Sequence, residues 1–487
     1  MSCIYYSYTL AEPHWRCTGH TITTTTTYYP HSYSAWPATA HSTSQSSRGS
    51  PPATSSPSSS SRRASPSSAT AYPSSPPRPI FSASLLRIAS PLSSASSTSD
   101  LTDSTEHLRP LLRRAYDSLS GPLADFLSSA ATPPVDWLLC DYASYWAVPV
   151  ARSLNVRTAF LSLFGAAALG SLGPPDELIR PRRLAPEDFT VAPDWVPFPT
   201  SVAFRLPEAR TAFGRTFSPD ASGVSKAYRF GVTVRECDLV AVRSCVELEQ
   251  EWLDLLKDIY GKTVLPVGHF PPVAPKESVA AASLKDWTGA FEWLDKRAHG
   301  SVVYVAFGSE VRLNREQVHE IARGLELSGL PFIWALRWPN GLKEVLPEGF
   351  EDRTAHRGIV CQGWVPQVRL LGHPAVGGFM THCGWSSVTE GLQFGLALIL
   401  VPMIFDQALS ARLLEEKGVG KEVPRNDEDG AFDGIGISET LRLVMVEEGG
   451  EGYRARSREL KSVIGSKEVQ DSYLTKFVEH LKSHRPT

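Results

Sequence analysis

Short apolar runs separated by longer stretches of helical periodicity recur from about residue 101 to the C-terminus, and this alternation most restricts what the chain can fold into. The runs 135–140 (VDWLLC), 158–163, 239–243 and 263–267 are apolar almost throughout, which is the pattern of strands covered on both faces. Stretches such as 108–119 and 123–130 carry apolar residues at helical spacing instead. Strands alternating with helices predict a parallel sheet with crossover helices. A second series follows, with strands at 301–307 (SVVYVAF), 332–336, 358–362 and 375–381, an amphipathic helix at 315–328, and helices from Ser387 and Ala408. The closing stretch sets Tyr473, Leu474, Phe477, Val478 and Leu481 on one helical face. The expected fold class is α/β, with two Rossmann-like doubly wound domains facing a cleft and ligands at the carboxyl ends of the strands. A Pro/Ala/Ser-rich stretch at 270–283 marks the junction, so the divisions expected are an N-terminal domain at 97–269, a linker at 270–290, a C-terminal domain at 291–470 and a final helix at 471–487.

Residues 1–96 break this pattern. Of the 60 residues from 41 to 100, 24 are serine, and Glu12 and Asp100 are the only acidic residues in the first hundred. Such a segment buries too little apolar surface to offset its ordering entropy, and no strand of a parallel sheet is recognisable in it. Three origins compete: a Ser/Arg-rich organelle leader, a disordered arm, and an out-of-frame translation of a GC-rich coding region. The third is preferred, because the segment stands where the opening strands of the first domain belong. The N-terminal sheet is then expected to lack strands and to keep an unpaired edge.

Composition removes several function classes. The net charge of −3 on 487 residues provides no polycationic field for nucleic acid. The longest apolar run, about 395–405, is far below the roughly 20 residues of a membrane span, and the first 17 residues lack a basic start followed by an apolar core. Seven cysteines at positions 3, 17, 140, 237, 245, 361 and 383 form no CxxC pair and suit free thiols in a reducing compartment. A cytoplasmic monomer without a membrane span is expected.

The chemistry concentrates in WVPQVRLLGHPAVGGFMTHCGWSSVTEGLQFGLALILVPMIFDQ, the 44 residues 364–407. This stretch resembles the signature box of plant family 1 UDP-glycosyltransferases and matches it along its full length without a gap. The resemblance extends from about residue 97 to the C-terminus and implies the two-domain GT-B arrangement. HCGWSS with EGLQFG is most similar to the subgroup that extends sugars already present on flavonoids, terpenoids or saponins, including users of UDP-rhamnose. It implies a UDP-sugar donor, a small-molecule acceptor, inverting transfer to a hydroxyl, and neither cofactor nor metal.

The resemblance also implies roles. Trp364 offers a flat face for the uracil ring, with Val365 beside it, and stacking of this kind contributes about 1–3 kcal/mol per base. Gln367 assists at the ribose, and Glu390, an acceptor-only carboxylate, takes hydrogen bonds from both ribose hydroxyls. His382, Gly384, Ser386 and Ser387 fall where a strand hands over to a helix, a setting with unpaired N–H groups for a diphosphate. His382 and Ser387 are assigned to phosphate oxygens, although Ser387 and Glu390 also have the spacing of a capping box. Ser386 stands where most of the wider family has asparagine, which leaves the donor sugar open. Trp385 is placed beside the transferred sugar, Asp406 and Gln407 on its hydroxyls, and Ser309 in the Phe307-Gly308-Ser309 turn near the diphosphate.

Transfer to a hydroxyl also needs a general base, because an alcohol is a poor nucleophile until its proton begins to leave. The family uses a histidine after the first strand, oriented by an aspartate that Asp141 matches. The histidine is not identified. His20 is the weak candidate, since polar residues 11–18 precede it and His14, His31 and His41 stand in no better setting. The alternative function is therefore a non-catalytic UDP-sugar-binding homologue.

Overall fold

The computed structural model describes residues 22–24, 109–129, 135–272, 287–338, 345–363 and 365–485. In the N-terminal half, β1 (Ile22–Thr24), β2 (Trp137–Cys140), β3 (Arg157–Ser162), β4 (Leu239–Val242) and β5 (Val264–Pro266) form a parallel sheet in sequential order. Its helices are α1 (Arg109–Asp117), α2 (Ser120–Ser128), α3 (Ala147–Ser153), α4 (Ala166–Leu172), α5 (Pro175–Ile179), α6 (Leu206–Phe217), α7 (Lys226–Glu236) and α8 (Val246–Tyr260).

One expectation is corrected here. Ile22–Thr24 pairs in parallel with Trp137–Leu139 at the edge of this sheet, so the first 96 residues do contribute a strand. The surrounding run TITTTTT is β-branched rather than apolar, and β-branched residues fit a pleated surface without forming a hydrophobic run. The rest of 1–96 lies outside the described residues.

The C-terminal half contains β6 (Val302–Ala306), β7 (Phe332–Leu336), β8 (Gly358–Gln362), β9 (Val376–Thr381), β10 (Ala397–Leu400) and β11 (Gly420–Glu422). Between and around them run α9 (Thr288–Asp295), α10 (Arg315–Ser328), α11 (Phe350–Thr354), α12 (Gln367–Leu371), α13 (Trp385–Leu392), α14 (Gln407–Glu416), α15 (Gly434–Met445), α16 (Glu451–Ile464) and α17 (Lys467–Ser483). The strands lie in the order β11-β10-β9-β6-β7-β8, and every pair is parallel. From the β8 edge the chain order is 3-2-1-4-5-6 within this half, the doubly wound arrangement, and it reverses between β6 and β9.

Alternate side chains of each strand enter different cores, as the pleat requires. In β6, Val303 and Val305 pack with α10 and α15, whereas Val302, Tyr304 and Ala306 join a core that continues through Trp385 to Trp252, Val240 and Phe160 of the N-terminal half. The other face of the N-terminal sheet is sealed by the end of the chain. Phe477 and Leu481 of α17 pack on Trp137, Leu139, Leu239 and Ala241, and the Trp137 indole N–H donates to the Leu481 carbonyl at 2.9 Å. Burial of two such side chains contributes about 1.5–3 kcal/mol each. The two halves thus share cores instead of meeting only at a hinge.

Among the described residues no helix is long and apolar enough to cross a membrane. Cys140, Cys237, Cys245, Cys361 and Cys383 are free and buried.

Candidate functional site

In a doubly wound sheet the ligand crevice lies outside the carboxyl ends of the strands where their order reverses, which here is between β6 and β9, and two glycines stand at that point. Gly308, just past β6, has φ +70°, and a Cβ there would fall 2.6 Å from His382 Nε2. A Cβ on Gly384 would meet the same nitrogen at 2.6 Å. The His382 imidazole is therefore clasped between two backbones that have no side chain to interfere. It is 8% exposed, and burial pushes its pKa down to about 4, so it is neutral near pH 7. Its Nδ1 has no protein partner among the described residues. Ser309, next to Gly308, is exposed.

Helix α13 starts at Trp385, with Gly384 as its N-cap at φ −63° and ψ 132° and no side chain capping the first turn. Ser387 therefore lies within that turn, and the capping-box role weighed for Ser387 and Glu390 does not hold. The leading N–H groups of a helix have no intrahelical acceptor, and together with the helix dipole they favour an anion. Cys383 at φ +66° and Phe405 at φ +54° are non-glycine residues in the left-handed region, at the exits of the adjacent strands β9 and β10. Such conformations cost about 1–3 kcal/mol each and persist where the surrounding structure fixes them.

One turn along α13, the Glu390 carboxylate accepts from Gln367 Nε2 at 2.6 Å, and Gln367 Oε1 accepts from the Tyr304 hydroxyl at 3.1 Å. This chain joins β6, α12 and α13. Burial raises the Glu390 pKa, against the lowering effects of the Gln367 bond and the Arg243 charge. Val365 is half-buried beside this group, with its carbonyl accepting from Gln367 N at 2.8 Å. Trp364 lies outside the described residues.

Asp406 and Gln407 stand after β10, where Asp406 precedes α14 and Gln407 opens it. Burial pushes the Asp406 pKa up to about 7, with the Glu310 charge adding to the rise. Gln407 spends its carbonyl oxygen on the N–H groups of Met403 and Ile404, at 3.0 and 2.8 Å, which pins the chain between β10 and α14.

Two residues of the box face the N-terminal half. Trp385 is 2% exposed, and its indole N–H donates to the Arg243 carbonyl at 2.7 Å. Ser386 Oγ accepts from Arg243 Nη1 at 2.7 Å. Sequence reasoning did not single out Arg243, nor Glu249, a fully buried carboxylate that accepts from Ala167 N at 2.8 Å and from the Ser244 hydroxyl. The available signal was the position of both in RSCVELE, just beyond the carboxyl end of an apolar strand.

Asp141 stands at the carboxyl end of β2, where its Oδ1 accepts from Ala143 N at 2.9 Å and Ser144 N at 3.3 Å and so fixes the following turn. Burial raises its pKa, offset in part by those bonds and by Arg113. Among the described residues no histidine donates to it, and His20 lies outside them.

Comparison with known proteins gives the family. The family model described as "UDP-glucoronosyl and UDP-glucosyl transferase" matches residues 270–428. UDP-glycosyltransferase 91C1 of Arabidopsis thaliana is 44% identical over 372 residues, covering 76% of this chain and 78% of the relative. The soyasaponin III rhamnosyltransferase of Glycine max is 38% identical over 378 residues, covering 77% and 78%. The solved structure of Phytolacca americana UGT2 complexed with UDP-2fluoro-glucose and pterostilbene superposes with a TM-score of 0.60 at 26% identity, covering 77% of this chain and 82% of that one. With two parallel sheets flanked by helices, the second of them doubly wound, and relatives at this level of identity over most of its length, the chain belongs to the plant UDP-glycosyltransferase family, whose members transfer sugar from a UDP-sugar.

Proposed function

We propose that the protein is an inverting hexosyltransferase that moves glucose or rhamnose from its UDP-sugar to a hydroxyl of a plant secondary metabolite or of a glycoside of one. The observation that carries the reading is the convergence at the crevice between β6 and β9. His382 clasped by Gly308 and Gly384, the uncapped head of α13, and the chain Tyr304–Gln367–Glu390 lie in the order in which a sugar nucleotide presents diphosphate and ribose. His382 and Ser387 hold phosphate oxygens, with Ser309 near them. Glu390 takes the ribose hydroxyls with Gln367 in support, the uracil rests on Trp364 beside Val365, and Asp406 with Gln407 binds the sugar hydroxyls.

In the reaction, a base withdraws the acceptor proton, the oxygen attacks the anomeric carbon, and the bond to UDP breaks with inversion. Charge that develops on the leaving diphosphate is stabilised by donors already in place at the head of α13, which need no reorganisation. Asp141 orients the base from the end of β2. No cofactor beyond the donor is required. The name of the Glycine max relative supports rhamnose as one candidate sugar. The relatives carry transferase names, and nothing in them favours the non-catalytic UDP-sugar-binding alternative.

The test is turnover. Purified protein with UDP-glucose or UDP-rhamnose and a panel of flavonoid and terpenoid glycosides is expected to release UDP only when an acceptor is present. UDP binding without release across both donors and the panel rejects transfer.

A further inference from the structure

Arg243 follows the apolar strand β4, yet its guanidinium leaves the N-terminal sheet and ends at the head of α13. The residue is 1% exposed. A cation buried this deeply is costly unless partners offset its lost hydration. Nε donates to the His269 carbonyl at 2.7 Å, which anchors the side chain in its own half. Nη1 then crosses to Ser386 Oγ at 2.7 Å, while the Arg243 carbonyl receives the Trp385 indole N–H at 2.7 Å. One residue of the N-terminal half thus holds both leading residues of α13.

The direction of the Ser386 bond has a chemical consequence. A guanidinium has donors and no acceptor, so Ser386 Oγ must be the acceptor, and the Ser386 hydroxyl proton must point elsewhere. Ser386 lies in the first turn of α13, where the free backbone N–H groups also converge. The Arg243 charge additionally acts on Glu390, one turn further on, where it opposes the effect of burial.

We propose that Arg243 is a positioning residue of the donor site: it fixes Ser386 as a hydroxyl donor toward the nucleotide's diphosphate and adds a permanent positive charge beside the N-terminus of α13. This inference rests on the UDP-sugar reading of the crevice. It also explains why Ser386 need not be an amide, because an oxygen oriented by a cation supplies a directed donor. Lysine cannot reproduce the arrangement, since one ammonium cannot hold the His269 carbonyl and Ser386 in the fork geometry of arginine.

The experiment is calorimetric titration of UDP into the parent, Arg243→Lys, Arg243→Met, Ser386→Ala and the Arg243→Met/Ser386→Ala double variant, with thermal unfolding of each. Arg243→Met is expected to weaken UDP binding by about tenfold or more, the loss of a charge-assisted contact, and Arg243→Lys to restore part of it. Ser386→Ala is expected to weaken binding several-fold while the protein stays folded, and the double variant to bind no worse than Arg243→Met within about twofold. A melting-temperature loss in Arg243→Met with UDP affinity intact overturns the proposal, as does full additivity in the double variant. If Arg243→Met does not fold, Ser386→Ala decides, and unchanged UDP affinity in it overturns the proposal. A parent that binds no UDP refutes the UDP-sugar reading itself, and this inference with it.

Discussion

Replacing Gly384 with alanine probes the construction of the donor pocket most sharply. The backbone at 384 has φ −63° and ψ 132°, which any L-residue adopts, so the new methyl introduces no backbone strain. Its Cβ lands 2.6 Å from His382 Nε2, about 1 Å inside normal contact. The ring is buried and the Gly308 backbone also lies close to it, so it has little room to retreat. His382 must leave its rotamer. Overpacking of this kind costs about 1–3 kcal/mol of stability. A displaced His382 also forfeits a hydrogen bond to an anionic oxygen, about 1.5–3 kcal/mol, or roughly 10- to 150-fold in the Kd for UDP. Calorimetry with UDP and thermal unfolding of the same sample read both terms. The companion Gly308→Ala, at φ +70°, carries the same collision plus about 1–2 kcal/mol of left-handed strain, so it should lose more stability for a similar loss of binding. A Gly384→Ala protein that melts normally and binds UDP within about twofold of the parent refutes the clasp.

The burial of His382 gives its folded state a pKa of about 4 against an ordinary 6.5, so on acidification the unfolded state takes up the proton first. The stability this neutral ring provides is present above pH 6.5 and lost as pH falls toward 4, a term of about 3 kcal/mol. Buried carboxyls act in the opposite sense over the same range, so the measurement is the difference between parent and His382→Gln in urea unfolding at several pH values; parallel curves contradict the assignment. Asp406, with its pKa near 7, should accept sugar hydroxyls better once ionised. The affinity of UDP-glucose relative to UDP should therefore rise between about pH 6 and pH 8 in the parent and stay flat in Asp406→Asn, as titration calorimetry will show. Phe477→Ala empties a site between α17 and the N-terminal sheet and should cost about 3–5 kcal/mol in denaturant unfolding. A loss below about 1 kcal/mol would mean that α17 is not part of that core.

Much of the fold was legible because strands covered on both faces must be apolar, which 135–140, 239–243 and 301–307 display plainly. Helix α10 falls on 315–328 as its periodicity indicates. Two strands carried no such signal. β1 lies in a threonine run, and β11 is Gly-Lys-Glu, held by its pairing with Leu398–Leu400 rather than by its own side chains. The head of α13 was misjudged by two residues, since the Ser387 to Glu390 spacing suggested a cap whereas the chain turns earlier, at Cys383 and Gly384. Residues of the box could be named from local pattern, because a strand-to-helix turn is a local event. Arg243 and Glu249 could not, because their partners Ser386 and Ala167 are distant in sequence and only the packing of sheets and helices brings them together.

The account's central claim is that the crevice between β6 and β9 holds a UDP-sugar, and a crystal structure of the protein soaked with UDP tests it most directly. The account predicts diphosphate oxygens within hydrogen-bonding distance of His382 and Ser387 at the head of α13, with the ribose hydroxyls on Glu390. Nucleotide bound elsewhere, or this crevice empty at saturating UDP, contradicts it.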